Sequence, residues 1–186
     1  YSIACKAKQA GKAVGVTTSV AINHATPAVF YAHQPDRQMY YEIGTDAAKA
    51  GFDFYGGAGW KQVFSPHDSS AIDLYSLLRD SGYMIIDHRQ DFQALSAGAG
   101  KVVYVQPKDC VNPSSLPAAI DRKEGDLTLA NITEKAIQFL STRNETGFFL
   151  MVEGGVIDWL CHANDGAAAY REVVEFSETI QVALDF

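Results

Sequence analysis

Cysteine is scarce in this chain. Cys5, Cys110 and Cys161 lie far apart, which excludes a disulfide framework and a cysteine-based zinc site. Cys161 stands beside His162, but adjacent residues on a helix point in different directions, so Cys161 is expected as a buried thiol. Basic residues are outnumbered as well: 15 Lys and Arg against 22 Asp and Glu leave a formal net charge of −7, and a chain without a basic face is not expected to bind nucleic acid. No apolar run approaches the ~20 residues of a membrane-spanning helix, so no segment is expected to cross a bilayer. Repeats and low-complexity stretches are missing, as are an initiating methionine and a signal-peptide pattern. Beginning at Tyr1, the chain reads as a piece cut from something longer.

What is present is an ordinary globular composition, with 47% hydrophobic and 20% charged residues. At 186 residues one core can bury roughly 70% of the extended-chain surface, so residues 1–186 are expected to form a single domain. Strand-like runs alternate with helical patterns along the whole length. Ser2 to Ala10 reads as a helix closed by Gly11, and Ala13 to Thr18 as a buried strand. Thr26-Pro27 reads as a helix start with the threonine as N-cap. Tyr40 to Ala50 follows as a helix, and Phe52 to Tyr55 as a strand entering the turn Gly56-Gly57-Ala58-Gly59. Glycine clusters can cradle phosphate, but no Gly-Lys-Ser/Thr follows this one, so it is not read as a nucleotide loop. Ser69 to Arg79 presents Ile72, Tyr75 and Leu78 on one helical face, before strands at Tyr83 to Ile86 and Lys101 to Val105. Gln106 to Gly125 is expected as a long surface connection. Thr128 to Leu140 is amphipathic, burying Leu129, Ile132, Ala136, Phe139 and Leu140, and the last helix is expected to pack through Val173, Phe176, Ile180 and Leu184. This order predicts an α/β fold, a largely parallel central sheet flanked by helices.

The most informative stretch is FFLMVEGGVIDWLCHAND, Phe148 to Asp165. Phe148 to Val152 is an unbroken apolar run, expected as a strand buried on both faces. It stops at Glu153, turns through Gly154-Gly155 and enters a helix near Val156. Asp158 and His162, four residues apart, share a helical face with Cβ atoms roughly 5–6 Å apart. Their oxygen and imidazole nitrogen suit zinc, and Glu153 suits a harder cation such as magnesium. The spacing equally allows Asp158 as a helix cap, His162 as a hydrogen-bonded surface residue and Glu153 as a solvated carboxylate.

Together with HATPAVFYAHQPDR, His24 to Arg37, this stretch resembles the alkaline phosphatases, and the similarity runs across nearly the whole chain. The resemblance implies that Asp158 and His162 bind one catalytic zinc, that Glu153 and the Thr26 hydroxyl bind magnesium, and that Arg37 grips two phosphate oxygens through its planar guanidinium. The implied fold is a three-layer α/β sandwich. The implied reaction is in-line attack of a serine on a phosphate monoester followed by hydrolysis of the phosphoserine, with two metals stabilising the attacking and leaving oxygens. His24 stands where one branch of the family has aspartate, and Trp159 where that branch has lysine; an imidazole is a poorer magnesium partner than a carboxylate. The nucleophilic serine and the remaining zinc ligands have no counterpart in these 186 residues. Asp68-Ser69-Ser70-Ala71 and Asp87-His88 imitate them but fall between the two motifs, where the family has no such residues. The chain is therefore expected to be an internal fragment of a larger phosphatase catalytic domain, with little activity alone and weak zinc binding. The full-length enzyme is expected to be a homodimer and periplasmic or secreted. The rivals are a related hydrolase of the superfamily or a non-catalytic metal-binding truncation; Cys110-Val111-Asn112-Pro113 misses the sulfatase nucleophile pattern because its proline comes one place late.

Overall fold

Alternation along each strand sends Val14, Val16, Tyr55, Val103 and Val105 into one apolar cluster and Ala13, Phe54, Val102 and Tyr104 into another. Sheets with both faces apolar must be covered on both sides, and this one is. The computed structural model describes residues 1–88, 91, 100–107, 114–143 and 146–186. In chain order its elements are α1 (Ile3–Gln9), β1 (Ala13–Thr18), α2 (Ala25–Ala28), α3 (Tyr40–Ala50), β2 (Phe54–Gly57), α4 (Leu74–Asp80), β3 (Tyr83–Ile86), β4 (Lys101–Val105), α5 (Leu129–Ser141), β5 (Phe148–Glu153), α6 (Gly155–His162) and α7 (Gly166–Leu184).

The five strands run in the order β3-β4-β2-β1-β5, and every pairing is parallel. All carboxyl ends therefore lie on one side of the molecule. Helices α1, α3 and α4 cover one face through Ala4, Ile43, Ala47, Leu74 and Leu78. Helix α5 covers the other through the residues its periodicity predicts: Leu129, Ile132, Ala136, Phe139 and Leu140 are all buried. Its N-cap Thr128 accepts a hydrogen bond from Asn131 N. Close approach of α5 to the sheet requires Gly56, where a Cβ would stand 2.5 Å from Ile132 Cγ2.

Several local expectations are corrected. Strand β5 is half-buried rather than buried, because it ends the sheet and only β1 lies beside it among the described strands. The second strand begins at Phe54, since Phe52 leaves the sheet to pack with Tyr31 and Tyr55. Helix α4 starts only at Leu74, because the Asp73 side chain caps it by accepting from Ser76 N; Ile72 stays exposed. Thr26 is not an N-cap: His24 occupies that position and Thr26 lies within the turn. The connection before α5 is not wholly a surface loop, since Leu116 and Leu127 enter the second core.

The largest difference is in α7. Val173, Ile180 and Leu184 are exposed, Phe176 is only partly buried, and the inward side carries Ala168, Ala169, Glu172, Glu175 and Thr179. The partners explain the inversion. Arg122 pairs with Glu175, and Ala119 N donates to Glu172 Oε1 at 2.6 Å, so both carboxylates are compensated where they are buried. Cys161 is exposed too, because α6 buries only its first turn, Gly155 and Val156.

Candidate functional site at the carboxyl end of the sheet

Adjacent parallel strands place Thr18, the last residue of β1, directly beside Glu153, the last residue of β5. Thr18 is fully buried. Its Oγ1 accepts from Val20 N at 3.1 Å and donates to Glu153 Oε2 at 2.6 Å. With a lone pair taken by the amide, the hydroxyl proton is directed to the carboxylate, which fixes one Glu153 oxygen. Ser19 N donates to the Glu153 carbonyl at 3.0 Å, and Val156 N donates to Ser19 Oγ at 3.2 Å. The Gly154-Gly155 turn that follows is tight: a Cβ on Gly155 would lie 2.9 Å from both Val20 methyls and 3.2 Å from Glu153 Cδ.

Helix α6 projects Asp158 and His162 into solvent, 73% and 81% exposed, with Asp158 Oδ1 and His162 Nε2 3.6 Å apart. Two donors at ordinary zinc distances in a tetrahedral arrangement stand about 3.4 Å apart, so the pair fits two places of such a set. Among the described residues no three His, Cys, Asp or Glu side chains converge into a metal-sized group; Glu153 stands apart from the pair.

The chain leaving β1 brings a second group to the same end. His24 meets Trp159 of α6 edge to face, ring centroids 5.3 Å apart, and Arg37 Nη2 lies 3.4 Å from His24 Nε2. A guanidinium only donates, so a hydrogen bond between them requires Nε2 as the acceptor, which is the neutral imidazole with its proton on Nδ1. Burial, then the charges of Arg37 and Lys61, hold the His24 pKa below its ordinary value, against a smaller upward pull from Asp158. His24, Arg37, Asp158 and Trp159 thus form one cluster, while Thr26 is exposed in the turn beside it.

The imitations of catalytic motifs lie elsewhere. Asp68 to Ala71 is an exposed loop closed on itself, with Ser70 Oγ donating to Asp68 Oδ1 at 2.6 Å. Asp87 and His88 follow β3, at the opposite edge of the sheet from β5. The Cys110-Val111-Asn112-Pro113 stretch lies outside the described residues. Sequence reasoning missed Thr18, Asn23 and Lys61. The available signal was position, since each follows or ends a strand at the carboxyl side, where open α/β sheets bind ligands.

The family model described as "Alkaline phosphatase" matches residues 1–56 and 67–186. Among curated relatives, alkaline phosphatase 4 of Bacillus subtilis (strain 168) is 33% identical over 191 residues, covering 100% of this chain and 39% of the relative. The alkaline phosphatase of Gadus morhua is 32% identical over 209 residues, covering 94% of this chain and 43% of the relative. Among solved structures, the alkaline phosphatase from the Antarctic bacterium TAB5 superposes with a TM-score of 0.84 at 30% identity, covering 99% of this chain and 51% of that one. A mutant of the TAB5 enzyme with Mg bound in its M3 site gives the same TM-score at 29% identity, covering 99% of this chain and 50% of that one. The chain thus spans about two fifths of the length of the curated relatives it matches.

Proposed function

This chain belongs to the alkaline phosphatase family, and from that membership we propose that it supplies the phosphate-gripping and part of the metal-binding machinery of a phosphate monoester hydrolase. The observation that carries the reading is the meeting of Arg37, His24, Trp159 and Asp158 at the carboxyl end of a parallel sheet.

In this reading Asp158 and His162 hold a zinc-type ion, and Glu153 with the Thr26 hydroxyl holds a magnesium-type ion. The donor chemistry supports it: oxygen with imidazole nitrogen for the first, oxygen alone for the second. When bound, such ions stabilise charge on the attacking and leaving oxygens of a phosphoryl transfer. Thr18 keeps one Glu153 oxygen occupied and oriented, leaving the other for a ligand. Thr26, spared a capping role, has its hydroxyl free for the same purpose. Arg37 presents parallel N–H donors to two phosphate oxygens, and neutral His24 accepts from one guanidinium nitrogen, steadying its orientation. Trp159 packs on His24 and holds the imidazole against α6.

The serine nucleophile and the remaining metal ligands are contributed from outside these residues, so the 186 residues alone turn over little phosphate ester. The complete enzyme is a homodimer that works after export, in the periplasm or outside the cell. Zinc titration by calorimetry, on this chain and on Asp158→Ala, tests the site: binding present in the first and lost in the second is expected. Equal binding by both would remove Asp158 and His162 from the metal site. Vigorous hydrolysis of an aryl phosphate by the metal-loaded 186 residues would refute the dependence on outside groups.

A further inference from the structure

The glycine turn after β2 finds its use in what it carries. Ala58 N donates to Val20 O at 3.0 Å and Ile22 N to Gly59 O at 2.9 Å. The buried side chain of Asn23 then grips the next peptide from both sides: Lys61 N donates to Asn23 Oδ1 at 2.9 Å, and Asn23 Nδ2 donates to Lys61 O at 2.8 Å. The same Nδ2 also donates to Tyr40 O at 2.8 Å. One buried amide thus ties together the segment before His24, the segment after Arg37 and the backbone of Lys61. Gln62, the next residue, is held at φ 50°, a left-handed conformation that a non-glycine residue adopts at a cost and that clusters at binding sites.

The Lys61 side chain is ordered by this frame. Its Nζ donates to Tyr40 Oη at 3.2 Å and lies 4.3 Å from the centre of the Tyr40 ring. Among the described residues neither Lys61 nor Arg37 forms an ion pair with a carboxylate, although acidic residues outnumber basic ones in this chain. Two cations at one end of the sheet, neither paired directly with a carboxylate although Asp158 also acts on His24 there, leave positive charge to be met from outside, and such charge attracts an anion.

We infer that Lys61 is a further phosphate-binding residue, a second cation that acts with Arg37 on the dianionic group of a phosphate monoester. The inference rests on the reading of Arg37 as the phosphate grip. Lys61 is a point charge on a flexible stem, suited to follow the phosphate oxygens rather than fix their plane, which is the task of the guanidinium. It takes part in binding; no proton transfer or covalent step is assigned to it.

The test is calorimetric titration of inorganic phosphate into the polypeptide as its gene encodes it, with Lys61→Ala, Lys61→Arg and Arg37→Ala alongside. Lys61→Ala is expected to weaken phosphate binding about tenfold to hundredfold, the range of one charge-assisted hydrogen bond, while Lys61→Arg restores most of it. The slope of log Kd against log salt is expected to fall in Lys61→Ala, because one fewer cation meets the anion. Unchanged binding in Lys61→Ala beside a loss in Arg37→Ala overturns the role of Lys61 and leaves the Arg37 reading standing. Unchanged binding in both overturns both. Equal loss in Lys61→Ala and Lys61→Arg also overturns the inference, since charge would then not be what Lys61 contributes.

Discussion

Arg122→Met is the perturbation whose size and sign the structure makes easiest to work out. Arg122 and Glu175 are paired with side chains only 16% and 11% exposed, and Glu172 stands close enough for both to act on its carboxyl. Methionine keeps most of the side-chain volume and removes the charge, stranding Glu175 on the inner side of α7 and leaving Glu172 with the Ala119 amide alone. Breaking a buried pair in this way costs about 3–5 kcal/mol. For a chain of this size that corresponds to roughly 6–20 °C in Tm. The pH dependence gives the identifying signature. Burial raises the Glu172 pKa above 4.5, Glu175 adds to the rise, and the Ala119 amide and Arg122 oppose it. An acid whose folded pKa is raised binds more protons folded than unfolded. Its contribution to stability is therefore full below its unfolded pKa and lost as pH rises through the folded value. Removing Arg122 pushes Glu172 further up and widens that window. The deficit of Arg122→Met relative to the parent should be largest near pH 8 and shrink towards pH 4.5 as Glu172 takes up a proton. Thermal unfolding followed by circular dichroism at both pH values measures it. A deficit under about 1 kcal/mol near pH 8 would contradict the expected cost of stranding buried charge, and an equal deficit at both pH values would show that charge is not its source.

Thr18→Val keeps the shape of the buried side chain but removes the hydroxyl bridging Val20 N and Glu153 Oε2; urea unfolding should report a loss of about 2–4 kcal/mol. Combined with Glu153→Gln it should be non-additive by more than about 0.5 kcal/mol, and additive behaviour would deny the contact. Gly155→Val drives a Cβ against Val20 and Glu153, and the same assay should show a loss of about 1–3 kcal/mol. Ser69→Ala and Ser70→Ala lie in a self-closed loop; aryl phosphate hydrolysis by the encoded protein should stay within about twofold of the parent, because neither hydroxyl meets the reacting group in the proposed site.

Much of the fold was legible because its signals are local. The runs Ala13–Thr18, Tyr83–Ile86 and Lys101–Val105 form strands with the predicted bounds, since an apolar run of strand length between glycine or polar breaks has few other places to go. Helix α5 buries the stripe its 3.6-residue period marks. The strand–turn–helix unit from Phe148 to His162 forms in the order read, although its strand is half-buried rather than buried, because the turn glycines sit where the chain must bend sharply. Cys161 was misjudged because burial depends on what covers a helix, and beyond its first turn α6 is covered little.

The remainder depended on contacts between residues far apart in the chain. The sequence by itself determined the alternation of elements, the parallel class of the sheet and the pairing of Asp158 with His162, all set by spacing within one segment. Only the tertiary structure decided that β1 lies beside β5, putting Thr18 on Glu153, and that Asn23 holds the Lys61 backbone where the lysine charge acts on His24. It also decided which side of α7 faces inward. Periodicity favoured Val173, Phe176, Ile180 and Leu184, but Arg122 and the Ala119 amide stabilise Glu172 and Glu175 inside, and a compensated carboxylate can be buried where an uncompensated one cannot.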